Sequence, residues 1–293
     1  MSFQKGRKPD VMHPSVGRLL ADHPGETDPE QLIRKLARKR VAYAKKHGWD
    51  GPSFCPIILA SLSNVICNEV HHDIDGDGRI ILDREGRAII EYRSGYLWER
   101  QRFTIFHEYA HMLFTDYCEF VPHHHALDES ESAEHRQFEN LCDIAAAEMM
   151  MPVENFGPDI LKYSRFDAAA VRQVATRYEA SVDATISRLG ELVGHVPFLA
   201  AFLTDQRAKY TGSGPLWVKY IKKNKKFRDF IWPGTCPPDD SVVYECLKDK
   251  TTTRPKREQW TIKGEPKSFL VEAIKLPDIP TQPGYSKVVA LFS

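Results

Sequence analysis

The sequence predicts an α+β fold, and three observations carry that expectation. Apolar residues recur at helical spacing through 98–114 and 132–150. A turn signal at Arg84-Glu85-Gly86 joins two β-rich runs, 79–83 and 87–92, as a hairpin. Beyond Val196 the chain returns to strand-like segments such as 269–276 and 287–292, divided by proline-rich breaks at 233–238 and 277–283.

Taken in order, residues 1–26 mix Pro, Gly, His and charge and read as a loose tail. Thr27-Asp28-Pro29-Glu30 supplies a cap, a proline for the first helical position and an acid, so a helix begins there. Leu32, Leu36, Val41 and Tyr43 give it an apolar stripe, and Gly48 stops it after Lys46. The stretch 56–92 has a β-rich texture. The helices near 98–114 and 132–150 follow, the second ended by Pro152, and a helical pair is expected over 167–193.

Composition excludes several classes. Forty basic and forty acidic side chains give zero formal charge, so bulk electrostatics favour neither nucleic acid nor an acidic membrane. Six cysteines (Cys55, Cys67, Cys118, Cys142, Cys236, Cys246) form no C-x-x-C pair, which fits neither a disulfide framework nor a thiolate zinc site. The first residues lack the apolar core of a signal peptide, and no stretch is long and apolar enough to span a bilayer. A cytoplasmic setting is expected.

The chemistry concentrates at His107-Glu-Tyr-Ala-His111, an H-E-x-x-H motif. On a helix the two histidines lie one turn apart on one face and reach a single ion, while Glu108 is placed to act on water rather than on the metal. Phe103, Ile105, Phe106, Met112 and Leu113 would bury this helix. A catalytic zinc takes three protein ligands. The extended motif with a third histidine fails, because Phe114 and Tyr117 occupy its glycine and histidine positions.

The next helix offers Glu139 as third ligand and, one turn on, Asp143 to accept a hydrogen bond from a ligating histidine. His123-His124-His125, Glu131, Glu134 and His135 are rivals for the third position. A His2Glu set with an open position suits Zn2+, with Mn2+ or iron as alternatives. Tyr109, Arg102 and the 123–125 histidines are candidates to stabilise an oxyanion.

Glu99-Arg-Gln-Arg-Phe-Thr before the motif, Glu139-Asn-Leu-Cys-Asp143 and Ala-Ala-Glu-Met-Met-Met-Pro152 together resemble the ImmA/IrrE metallopeptidases. The likeness is closest to the branch associated with radiation and desiccation response. It implies a zincin-like peptidase core with His107, His111 and Glu139 on zinc and Glu108 catalytic. It also implies a helix-turn-helix-like segment and a C-terminal GAF-like α/β domain with a sensing role. The expected division is a tail over 1–26, a peptidase domain over 27–160, a helix-turn-helix-like part over 161–194 and a GAF-like part over 195–293. Family members cleave helix-turn-helix repressors and so release stress or mobile-element genes. A protein substrate of that kind is the expected partner, and a toxin–antitoxin accessory acting on an antitoxin would share the chemistry.

Weaker signals have plainer explanations. Asp73-Ile-Asp-Gly-Asp-Gly78 copies half a calcium loop, but Arg84 stands where the bidentate acid is required. His71 and His72 before it read as surface residues. In the helix-turn-helix-like stretch, Thr185, Ser187 and Arg188 are the side chains that would read DNA, opposed by Asp183; packing is the better reading. The basic run 219–228 reads as a solvated edge, and Trp217, Trp232 and Trp260 as core rather than pocket lining. A DNA-binding or ligand-sensing regulator with an inert peptidase-like site is the competing function, and it would predict loss of Glu108 or Glu139.

Overall fold

A computed structural model describes residues 12–49, 51–74, 76–120, 132–205, 216–249, 251–277 and 288–293. The fold is mixed α+β with two separate sheets, and the chain divides into two compact units. The first holds the residues up to Asn155 together with the turn Tyr178–Ala180; the second holds Phe156–Arg177 and Ser181–Ser293. Among the described residues no helix is long and apolar enough to cross a membrane.

The first unit opens with α1 (Pro14–Ala21), where a loose tail was expected. His13 accepts the amide of Ser15, Pro14 starts the helix, and Val16 and Leu19 are buried, so a short apolar stripe orders this segment. Helix α2 (Pro29–Lys46) starts as its cap signal predicts: Asp28 accepts from the amides of Glu30 and Gln31. The short helix α3 (Pro56–Leu62) replaces the β-texture expected there, with Pro56 at its first position and Leu59 and Ala60 buried.

Strands β1 (Ile66–Val70), β2 (Gly78–Leu82) and β3 (Ala88–Arg93) form a sheet in the order β1-β3-β2. The hairpin joins β2 to β3 in antiparallel register, Ile80 opposite Ile90, while β1 runs parallel to β3. Its turn is closed by Asp83, whose carboxylate accepts the amides of Glu85 and Arg87, and Gly86 takes the positive φ of 77° that the turn needs. Helix α4 (Trp98–His111) packs on β2 and β3 and against α6 (Ala133–Met150); the one-turn helix α5 (Tyr117–Phe120) lies between them in sequence. Helix α2 covers α6 as well, and the fully buried Glu148 of α6 is held by Arg34 and Arg38 of α2.

Helix α7 (Val153–Ile160) resumes directly after Pro152, and the unit boundary falls within it. In the second unit, α8 (Ala168–Arg177) and α9 (Val182–Leu192) form the expected helical pair. Helix α9 lies along β5, with Tyr220 donating to Asp183 at 2.8 Å; Thr185 and Arg188 are buried and Arg188 pairs with Glu191. Two of the three side chains nominated to read DNA, Thr185 and Arg188, are therefore engaged in packing.

The sheet of this unit is antiparallel throughout, ordered β5-β4-β8-β7-β6, from β4 (Leu199–Thr204), β5 (Trp217–Lys223), β6 (Lys256–Ile262), β7 (Glu265–Lys275) and β8 (Val288–Phe292). Every residue of β4 and β8 is buried, as central strands covered on both faces require. Helix α10 (Val242–Asp249), not foreseen in a region read as strands, lies on β7 and β8. Trp260 is fully buried in this core, whereas Trp232 is exposed.

Candidate metal centre

Helix α4 presents its motif as the spacing dictates. The ligating atoms of His107, Glu108 and His111 all lie within 4.8 Å of one another. His111 and Glu108 are buried and His107 half-buried, because Ile105, Phe106, Tyr109 and Ala110 turn the rest of the helix into the core. Helix α6 brings up the acids. Glu139 Oε2 stands 3.0 Å from His107 Nε2, and Asp143 Oδ1 2.8 Å from His107 Nδ1. All five residues singled out from the sequence thus converge at one place.

Electrostatics follow from that geometry. For His107, burial opposes the charge, but the hydrogen bonds to Asp143 and Glu139 and the nearby Glu108 outweigh it and lift the imidazole to about 10. Burial likewise works against the Glu139 carboxylate, yet the hydrogen bond to His107 and the charges of His111, His107 and His135 hold it down at about 2. Glu108 is raised to about 7, chiefly by burial, with His107 lowering it and Glu139 and Asp77 adding to the rise. Two adjacent carboxyls are thereby driven apart, one firmly ionised and one poised to exchange a proton near neutrality.

The donor set fits a divalent ion. His107, Glu108 and His111 offer two imidazoles and a carboxylate close enough to share one ion, and Glu139 Oε2, 3.0 Å from His107 Nε2, brings a second carboxylate to the same imidazole. Asp143 can accept the Nδ1 proton and leave Nε2 for the metal.

The rivals fare differently. His123, His124, His125 and Glu131 lie outside the described residues. Glu134 engages Ser132 and its own backbone amide, and His135 Nε2 stands 3.7 Å from the second oxygen of Glu139. The oxyanion candidates are corrected by their contacts. Tyr109 Oη shares a 2.6 Å hydrogen bond with Ser63, and the fully buried Arg102 donates to the carbonyls of Phe54, Tyr178 and Glu179. Both hold the fold.

Three neighbours were not read from the sequence. Cys142 Sγ lies 3.5 Å from His111 Nδ1 and is buried, which pushes its thiol well above the ordinary range. Gly78 of β2 abuts Glu108. Asp77, gripped by Arg100 at 2.8 Å through each oxygen, fixes the loop before it. Helical spacing from Glu139 would have placed Cys142 beside the site; the loop residues left no such signal.

Residues 71–190 match the Peptidase M78 family, the IrrE N-terminal-like domain. This stretch is similar to the N-terminal part of the IrrE-type metallopeptidases. Over 145 residues it is 30% identical to the radiation response metalloprotease IrrE of Deinococcus deserti, covering 48% of this chain and 51% of that protein. The chain thus spans about half the length of this curated relative. A Mycobacterium tuberculosis transcriptional regulator shares the fold at a TM-score of 0.54 and 15% identity, over 91% of this chain and 81% of that one. The IrrE-like match contains the whole constellation from Asp77 to Asp143.

Proposed function

We propose that this chain is a zinc metalloendopeptidase that cleaves a helix-turn-helix repressor and thereby releases stress-response genes. The observation that supports it best is the contact of His107 with Glu139 and Asp143 beside His111 and Glu108, residue types that would serve as three ligands, an orienting acid and a proton carrier. His107, His111 and Glu139 would hold the ion, with Asp143 orienting His107.

A zinc ion held there would supply Lewis acidity for the scissile carbonyl and for water. Glu108, buried beside His107 and His111, would take a proton from the attacking water and return it to the leaving nitrogen. Burial of Glu108 and His111 limits competing water around these transfers. Strand β2 lies at the edge of its sheet with Gly78 beside Glu108, so an extended substrate segment pairing along β2 would pass the carboxylate.

In this reading 27–160 is the peptidase domain with a zincin-like core, 161–194 a helix-turn-helix-like part serving to pack or dock substrate, and 195–293 a GAF-like domain that receives a signal. The setting is cytoplasmic. Both acids whose loss would mark an inert site, Glu108 and Glu139, are in place.

The test pairs wild type with Glu108→Ala, each loaded with zinc and incubated with the helix-turn-helix repressor encoded nearest in the genome. Intact-mass spectrometry should show one new pair of fragments with wild type and none with the variant. Absence of bound metal in the wild type would sink the enzyme reading.

A further inference from the structure

Helices α4 and α6 meet at the site through two matched clamps. Glu139 and Asp143, one turn apart on α6, engage the two ring nitrogens of His107. Phe138 and Cys142, also one turn apart and displaced by a single residue, close on His111. The Phe138 ring centre lies 5.1 Å from that of the imidazole, and Cys142 Sγ lies 3.5 Å from Nδ1. Each histidine therefore meets an α6 side chain at Nδ1, a carboxylate in one case and a thiol in the other.

We propose that Cys142 is a positioning residue of the metal site, the counterpart of Asp143, holding His111 with Nε2 turned toward His107 and Glu108; this rests on the metal-site reading above. A histidine that ligates through Nε2 carries its proton on Nδ1, and the group accepting that proton fixes both tautomer and ring rotation. The thiol is wholly buried and small enough to share the His111 environment with Phe138, and its sulfur accepts weakly from an N–H. Asp143 grips His107 with a full charge, while Cys142 steadies His111 without adding a further anion beside Glu108 and Glu139. The competing role, direct ligation by sulfur, has its own spectrum.

Competition against a chromophoric chelator measures zinc affinity without any activity assay, using the full-length wild type, Cys142→Ser, Cys142→Ala and Cys142→Val. Loss of the acceptor in Cys142→Ala should weaken zinc about tenfold. Cys142→Ser, which keeps an acceptor, should recover most of that loss. Cys142→Val, which fills the space without accepting, should bind as weakly as Cys142→Ala and serves if the latter fails to fold. Unfolding of each apoprotein separates any packing cost. In the cobalt-loaded wild type no thiolate-to-cobalt charge-transfer band should appear. Wild-type affinity in both Cys142→Ala and Cys142→Val would overturn the proposal, as would a charge-transfer band that vanishes in Cys142→Ser. A wild type that takes up no zinc would remove the metal site itself, a result distinguishable from the failure of Cys142 alone.

Discussion

Gly78 is pressed against Glu108: a Cβ added to Gly78 would stand 3.3 Å from Glu108 Cγ and 3.1 Å from the Glu91 carbonyl, and would overlap Thr104 Cγ2. The glycine is therefore required by close approach between β2 and α4 and not by turn geometry. Gly78→Ala forces strand and helix apart at the carboxylate and should cost about 1–3 kcal/mol of stability. Because His107 and His111 are held from α6, zinc uptake should survive while cleavage falls sharply. Urea unfolding, metal content and fragment yield together check this; a variant as active and stable as wild type would remove the packing argument.

Zinc uptake should release a proton from His107. The imidazole lies at about 10 in the metal-free protein, so it is protonated at neutrality and donates from both nitrogens, to Asp143 and to Glu139. A ligating nitrogen cannot keep its proton. Between pH 7 and 9 zinc affinity should rise about tenfold per pH unit, as displacement of one proton requires. The stability of the apoprotein runs the other way. The raised His107 contributes fully below ~6.5, its ordinary value, and the contribution is lost as pH climbs through 10. The lowered Glu139 contributes above ~4.5 and is lost as pH falls through 2. Titration calorimetry in buffers of different ionisation enthalpy counts the proton, and a flat affinity over this range would contradict the assignment.

The cluster was more legible than its surroundings because residues one helical turn apart leave a signature in sequence. His107 with His111, and Glu139 with Asp143, need only the 3.6-residue period to be placed on one face. Which faces meet is set by packing, so the contact of Cys142 with His111 and of Gly78 with Glu108 could not be read off. The hairpin over 79–92 announced itself through turn chemistry. Helix α10 did not, since its strand-like Val242 and Val243 mask a helix whose N-terminus is set by the distant Glu258. Arg102 looked like a catalytic donor for the same reason: the three carbonyls that occupy it come from residues 54, 178 and 179, far away in sequence.

Arg102 should prove structural when removed. Its guanidinium is wholly buried and satisfies the carbonyls of Phe54, Tyr178 and Glu179, the last in a left-handed conformation at φ 45°. Arg102→Met keeps the bulk but leaves those acceptors without their donor, at a cost of about 3 kcal/mol or more. Arg102→Lys should restore only part of it, since one ammonium cannot reproduce the planar fork. Denaturant midpoints at unchanged slope would establish the loss; a catalytic role would instead leave the midpoint alone and abolish cleavage.

Glu258 plays the corresponding part in the second unit. Its buried carboxylate accepts the Val242 amide at 2.7 Å through one oxygen, and Ser241 Oγ at 2.9 Å and Trp260 Nε1 at 2.8 Å through the other. It thereby satisfies the first amide of α10 and anchors the largest buried side chain of that core. Glu258→Gln is nearly isosteric, yet an amide has a single accepting oxygen. Its NH2 must then face either the Val242 amide or Trp260 Nε1, both of which can only donate. One donor–donor contact in the core should lower stability by about 2–3 kcal/mol. A fall in the denaturant midpoint accompanied by faster hydrogen exchange at Val242 would confirm it, whereas unchanged exchange there would show that α10 holds its N-terminus without Glu258.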